Sequence, residues 1–121
     1  MDIKKYQEHA LSTVAYKDDD TALDCVLAGL VGEMGEVFEL WKKFRRFDSE
    51  DSQQLKQVFD KFKSETTKEL GDLFWYLVVY AWLWDIDLDL VLQTNIEKLA
   101  ERKKNLTLHD SAKRVEISHE R

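Results

Sequence analysis

The chain has 121 residues, 44% of them apolar and 35% charged, with a formal net charge of −6, no proline, four glycines and one cysteine. That length fits one domain of roughly 100–150 residues, and the scarcity of proline and glycine leaves too little turn chemistry for a many-stranded sandwich or barrel. The acidic balance argues against a nucleic acid polymer as partner, because a phosphate-binding surface needs a basic stripe; small anions carried with a metal remain open.

The N-terminal stretch MDIKKYQEHA lacks the apolar core of a signal peptide. The longest apolar run, residues 73–84, is twelve residues long, against the ~20 needed to span a bilayer. No membrane partner is expected. The lone Cys25 lies in an apolar stretch and reads as a packed, reduced thiol, which places the protein in the cytoplasm.

In chain order, Asp2 is positioned to cap a first helix to about residue 15, with Ile3, Gln7, Ala10 and Val14 on one stripe. The acidic triplet at residues 18–20 closes that segment and caps the next. From about residue 21 to 46, the stripe Ala22, Val26, Gly29, Glu33, Glu36, Leu40 follows helical spacing but places two acids where apolar side chains are expected. A polar loop at residues 48–54 follows, with Ser52 as the next candidate cap. The third helix runs to about residue 84, and its stripe Glu65, Glu69, Asp72, Tyr76, Val79, Leu83 repeats the anomaly before the chain becomes apolar all round. A helix apolar on every face is buried on every face, so Phe74, Trp75, Val78 and Trp82 imply a partner subunit. A last helix spans about residues 88–104 with Val91, Asn95, Lys98 and Arg102 on one stripe. The expected fold is all-α, a four-to-five-helix bundle protomer that oligomerises through its apolar helix. Its domain would cover residues 1–104, and residues 105–121 read as a C-terminal arm or tail.

Glu33-x-x-Glu36 and Glu69-x-x-Asp72 each project two carboxylates from one helical face. If the two helices pack antiparallel, four carboxylates converge, and protonation or cation binding is the ordinary relief of their repulsion. An all-oxygen donor set without His or thiolate suits Mg²⁺, with Mn²⁺ as a substitute, over Zn²⁺. The four glycines flank these acids, which suggests close approach of a facing helix or of a metal-bound ligand. Ordinary relief of crowding at a tight crossing is the other reading.

The segments GLVGEMGEVFELWKKFRR, KELGDLFWYLVVYAWLWDIDLDLV and NIEKLAERK, with YQEHA near the start, resemble the MazG-like nucleotide pyrophosphohydrolases of the all-α NTP pyrophosphatase superfamily. The resemblance implies hydrolysis of nucleoside triphosphates to monophosphate and pyrophosphate, with metal held at Glu33, Glu36, Glu69 and Asp72. It also implies a homodimer or a tetramer of paired dimers. The 32 residues between Glu36 and Glu69 exceed the usual spacing, and an enlarged loop over residues 48–63 would absorb them.

On this reading Glu36 is the first choice for orienting or deprotonating the water. Asn95 and Lys98 match positions that contact substrate, and Arg102 and Lys43 are further phosphate candidates. Trp75, Tyr76 and Trp41 offer stacking surfaces for the base and Gln7 an amide for its edge. Each has a plainer counterpart: the aromatics as core or interface, Lys98 and Arg102 as solvated charges, Glu65 as helix surface. A non-catalytic dimerisation or regulatory bundle is the alternative function, and it leaves the acids on the core stripes without a reason.

Overall fold

The computed structural model describes residues 1–109, with side chains through residue 106. Four helices occupy them: α1 (Ile3–Leu11), α2 (Asp19–Arg46), α3 (Ser52–Leu83) and α4 (Leu88–His109). There is no strand among the described residues, and none of these helices is long and apolar enough to cross a membrane. The chain divides into two compact units, Met1–Asp87 and the segment from Leu88 onward.

Local chemistry starts each helix where an acid can cap it. Asp2 accepts from the Lys5 amide at 2.8 Å and Asp18 from the Thr21 amide at 2.7 Å, satisfying N–H groups with no intrahelical partner. For α3 the cap is Asp51, which accepts from the Gln53 amide at 2.9 Å; Ser52, expected as the cap, is the first helical residue. The first helix stops at Leu11, four residues short of the expected end, where the Ser12 and Thr13 hydroxyls turn back onto the His9 and Ala10 carbonyls at 2.6 and 2.7 Å.

Helices α2 and α3 form an antiparallel hairpin around residues 47–51. Its contacts run in opposite directions along the two helices: Phe44 stacks on Phe62 at 4.8 Å, Trp41 meets Phe62 at 5.9 Å, Glu33 meets Glu69, and Gly29 meets Tyr76. Val26, Val78 and Val79 are fully buried beside Ala22 and Ala81, each valine stabilising the unit by roughly 1.5–3 kcal/mol. Helix α1 lies against α3, with Tyr6 edge-on to Phe74 and Trp75 Nε1 donating to Thr13 Oγ1 at 2.7 Å.

Two further expectations change. Residues 52–63 are helical, so the long interval between Glu36 and Glu69 extends the hairpin rather than enlarging a loop; Trp41, Phe44, Phe59 and Phe62 are the aromatic packing that holds the extension closed. Cys25 is exposed, not packed. The apolar run is buried only at Val78, Val79 and Ala81, while Phe74, Leu77 and Trp82 are about half exposed.

With no glycine available after α3, Asp85 takes the left-handed conformation, φ 53°. The Ile86 amide reaches the Ala81 carbonyl at 2.8 Å and the Asp85 amide reaches Trp82 at 3.1 Å, the paired bonds of a Schellman cap. In the second unit α4 continues five residues past its expected end, into the segment read as an arm. The remainder of that arm lies outside the described residues.

Of the four glycines, only Gly29 is closed off within the chain, where a Cβ would fall inside the Tyr76 ring; at Gly32, Gly35 and Gly71 a Cβ meets nothing within 4 Å. Within the chain, the expected close approach therefore holds at Gly29 alone. Gly29→Ala is expected to cost about 1–3 kcal/mol through overpacking. Gly32→Ala and Gly35→Ala should leave stability unchanged or raise it by up to about 1 kcal/mol each, from helix propensity. Urea unfolding midpoints at constant slope measure the difference.

Candidate metal centre

One turn along α2 and two along α3 from the Gly29–Tyr76 contact, the packed stripe of α2 brings Glu33 opposite Glu69 of α3. Asp72 follows Glu69 by one turn, on the same face of α3. One carboxylate oxygen from each of Glu33, Glu69 and Asp72 lies within 4.8 Å of the others; Glu33 and Glu69 are half-buried and Asp72 is exposed. Glu36 is exposed and outside this group, although its charge reaches Glu33. Glu65 is turned aside by Lys68 at 3.4 Å, in keeping with helix surface.

The electrostatics carry the signature of acids held together. The Glu33 carboxyl is pushed above its ordinary value, first by a hydrogen bond with Glu69, then by burial and by the charges of Asp72, Glu69 and Glu36. The Tyr6 phenol is pushed up as well, by burial and then by Asp72, which puts α1 beside the third carboxylate. One turn before Glu69, Thr66 Oγ1 is buried without a hydrogen-bond partner. Three carboxylates with oxygens within 4.8 Å of one another, and an unpartnered hydroxyl one turn along α3, suit a hard divalent cation, which takes oxygen ligands.

The other candidate residues fall in different places. Lys43 is exposed in the last turn of α2, where its charge helps hold the Glu39 carboxyl low after the hydrogen bond and charge of Lys42. Gln7 is half-buried on α1. Trp75 and Tyr76 are half-buried and engaged with each other edge-on at 5.0 Å; the indole N–H is spent on Thr13, and the phenol ring on Gly29. Trp41 belongs to the aromatic packing of the hairpin, with Arg45 over its ring at 5.6 Å. Asn95, Lys98 and Arg102 are exposed on α4. Of two aromatic residues that meet where α1 lies on α3, Tyr6 had no role in the sequence reading and Phe74 was assigned to a subunit contact. The signal for Tyr6 was its place one turn after Ile3 on the packed stripe of α1.

The MazG nucleotide pyrophosphohydrolase domain matches residues 22–107, from the first turn of α2 into α4. The chain belongs to the MazG family. No curated protein and no solved structure matches it. Membership brings an all-α fold and nucleotide pyrophosphohydrolase chemistry. MazG domains typically depend on a metal, and here an acidic cluster able to hold one lies within the matched segment.

A raised carboxyl value stabilises the folded chain fully below the unfolded value, and the stabilisation is lost as pH rises through the folded value. In metal-free solution the melting temperature should therefore rise as pH falls from neutral through the window just above the ordinary glutamate value. Asp18 and Glu39, whose values are lowered by hydrogen bonds from Thr21 and Lys42, weaken the fold only at lower pH. Saturating Mg²⁺ should abolish the rise, because protons and cation compete for the same oxygens; thermal melts with Mg²⁺ and with EDTA measure it.

Proposed function

We propose that the chain hydrolyses nucleoside triphosphates, ribo- or deoxyribonucleotides, to nucleoside monophosphate and pyrophosphate, with Mg²⁺ held by Glu33, Glu69 and Asp72. The observation that carries this reading is the convergence of those three carboxylates within 4.8 Å on the α2–α3 hairpin. A bound Mg²⁺, or Mn²⁺ in its place, supplies charge neutralisation on the phosphate oxygens and stabilises the departing pyrophosphate.

Glu36 stands apart from the three-acid group and is exposed, so it is free to orient a water and take its proton. The water oxygen bonds to the α-phosphorus as the bridging oxygen leaves with the β- and γ-phosphates. Asn95 and Lys98 are assigned to phosphate or sugar, with Arg102 and Lys43 as further phosphate contacts.

The protomer works as a homodimer or a tetramer of paired dimers in the cytoplasm. The described residues bury only three valines and three alanines as apolar core. Leu27, Val31, Met34 and Phe38 on α2, and Leu70, Phe74, Leu77 and Trp82 on α3, are all exposed. We read so many exposed apolar side chains on two packed helices as an association face.

With Mg²⁺, pyrophosphate should be released from at least one nucleotide of a panel of canonical and damaged triphosphates, and EDTA should stop it. Glu36→Gln should lower kcat by about 10²–10⁴-fold, the range of general-base removal, while keeping the melting shift caused by Mg²⁺. Glu33→Gln or Asp72→Asn should remove both turnover and shift. Light scattering should return two or four protomer masses.

A further inference from the structure

One turn before Glu69, α3 carries a buried hydroxyl with nothing to bond, that of Thr66. We infer that Thr66 is a positioning residue of the cation site, its Oγ1 donating to a carboxylate oxygen of Glu69 or Glu33 and so fixing how that carboxylate meets the ion. The inference rests on the metal reading above and adds to it a residue outside the acidic group.

Place in the fold is the first ground. Phe62, Thr66 and Glu69 follow one another by four and three residues, which puts them along one face of α3. Both ends of that stripe meet α2: Phe62 packs on Phe44 and Trp41, and Glu69 hydrogen-bonds with Glu33. Thr66, between them, faces the same helix. Between Trp41 and Glu33 the packed stripe of α2 holds Leu40 and Val37, both half-buried and without a polar side-chain atom. Next along the two facing stripes come Glu33 and Glu69. Helical side chains tilt toward the N-terminus, which brings Glu69 back over the turn that holds Thr66.

The state of the hydroxyl is the second ground. A threonine inside a helix has an ordinary outlet in the carbonyl three or four residues back. Thr67 uses it, donating to the Lys63 carbonyl at 2.7 Å. Thr66 does not, and its Oγ1 is the single buried side-chain oxygen or nitrogen without a partner among the described residues. Native structures rarely carry such a group, and where they do it points to a functional contact, a water or an ion. Packing alone gives no reason for it, since valine fills the same branched shape without an orphaned donor.

Chemistry is the third. An ionised carboxylate only accepts hydrogen bonds, at about four lone-pair sites, and a cation leaves some of them open. Donors that fill the open sites hold ligating groups in orientation and are felt in the affinity for the metal. A hydroxyl hydrogen rotates to suit its acceptor, so one oxygen at position 66 serves either glutamate.

Thr66→Val and Thr66→Ser separate the hydroxyl from the packing, because valine keeps the branched shape at nearly equal helix propensity and serine keeps the donor. In calorimetric titrations with Mg²⁺, and with Mn²⁺ as a second probe, Thr66→Val should bind about 10–100-fold more weakly than the wild type and Thr66→Ser within about threefold of it, the first figure being the range for lost outer partners of a metal site. Without metal, Thr66→Val should melt higher than the wild type, since it removes an unsatisfied donor. Opposite signs in the two measurements are the expected result, and a residue that only packs the hairpin does not give them. Ion affinity unchanged in Thr66→Val, equal losses in the valine and serine variants, or a lower metal-free melting temperature for Thr66→Val would overturn the role of Thr66; the metal reading then stands as long as Glu33→Gln still loses the ion. If the wild type binds neither ion, the metal reading falls and Thr66 with it.

Discussion

Everything in the first unit depends on one pairing, the antiparallel contact of α2 with α3. Fixing register between two helices this long takes contacts at both ends. Aromatic stacking of Phe44 on Phe62 supplies one near the turn, and the seat of Tyr76 on Gly29 supplies the other. Between them the register leaves no freedom: Glu33 must face Glu69. Like charges held this way lower stability unless a proton or a cation intervenes, so the packing at the two ends stabilises an arrangement that the acids oppose. Stability and site chemistry are antagonists in this hairpin, which is why the metal-free chain should respond to protons.

The same pairing explains the limits of what sequence can reveal. Acids on otherwise apolar stripes were visible as a departure from helical periodicity, and three of the four converge. Glu36 did not follow: it is exposed and lies outside the three-acid group, although its charge reaches Glu33, and helical spacing alone does not say which residues of one stripe the facing helix covers. Caps were readable because they are chemistry within three residues, Asp2 and Asp18 being examples. The shift from Ser52 to Asp51 is within the ordinary uncertainty of a helix end.

Burial was the least legible property. A fully apolar run implies partners but does not say whether they belong to the same chain. Val78, Val79 and Ala81 are buried within the chain, whereas Phe74, Leu77 and Trp82 remain half exposed. Glycine was ambiguous for a related reason: Gly29 meets a ring while Gly32, three residues on, meets open space. What a glycine does depends on the opposing surface, and that is a tertiary fact. The contact of Tyr6 with Phe74 was hidden too, since it joins residues 68 positions apart through the seating of α1 on α3.

Exposed apolar residues and the acids are interleaved on the same stretches of helix. Val31 and Met34 bracket Glu33, while Leu70 and Phe74 bracket Asp72. A surface that covered the apolar residues and reached the carboxylates as well would remove water from around them, and a lower local dielectric strengthens both their repulsion and their attraction for a cation. A hydrated cluster binds a divalent ion weakly; a sheltered one makes the ion a condition of assembly. Were one partner surface to cover both, association and cation binding would favour each other by the same factor, since linkage between binding equilibria is reciprocal.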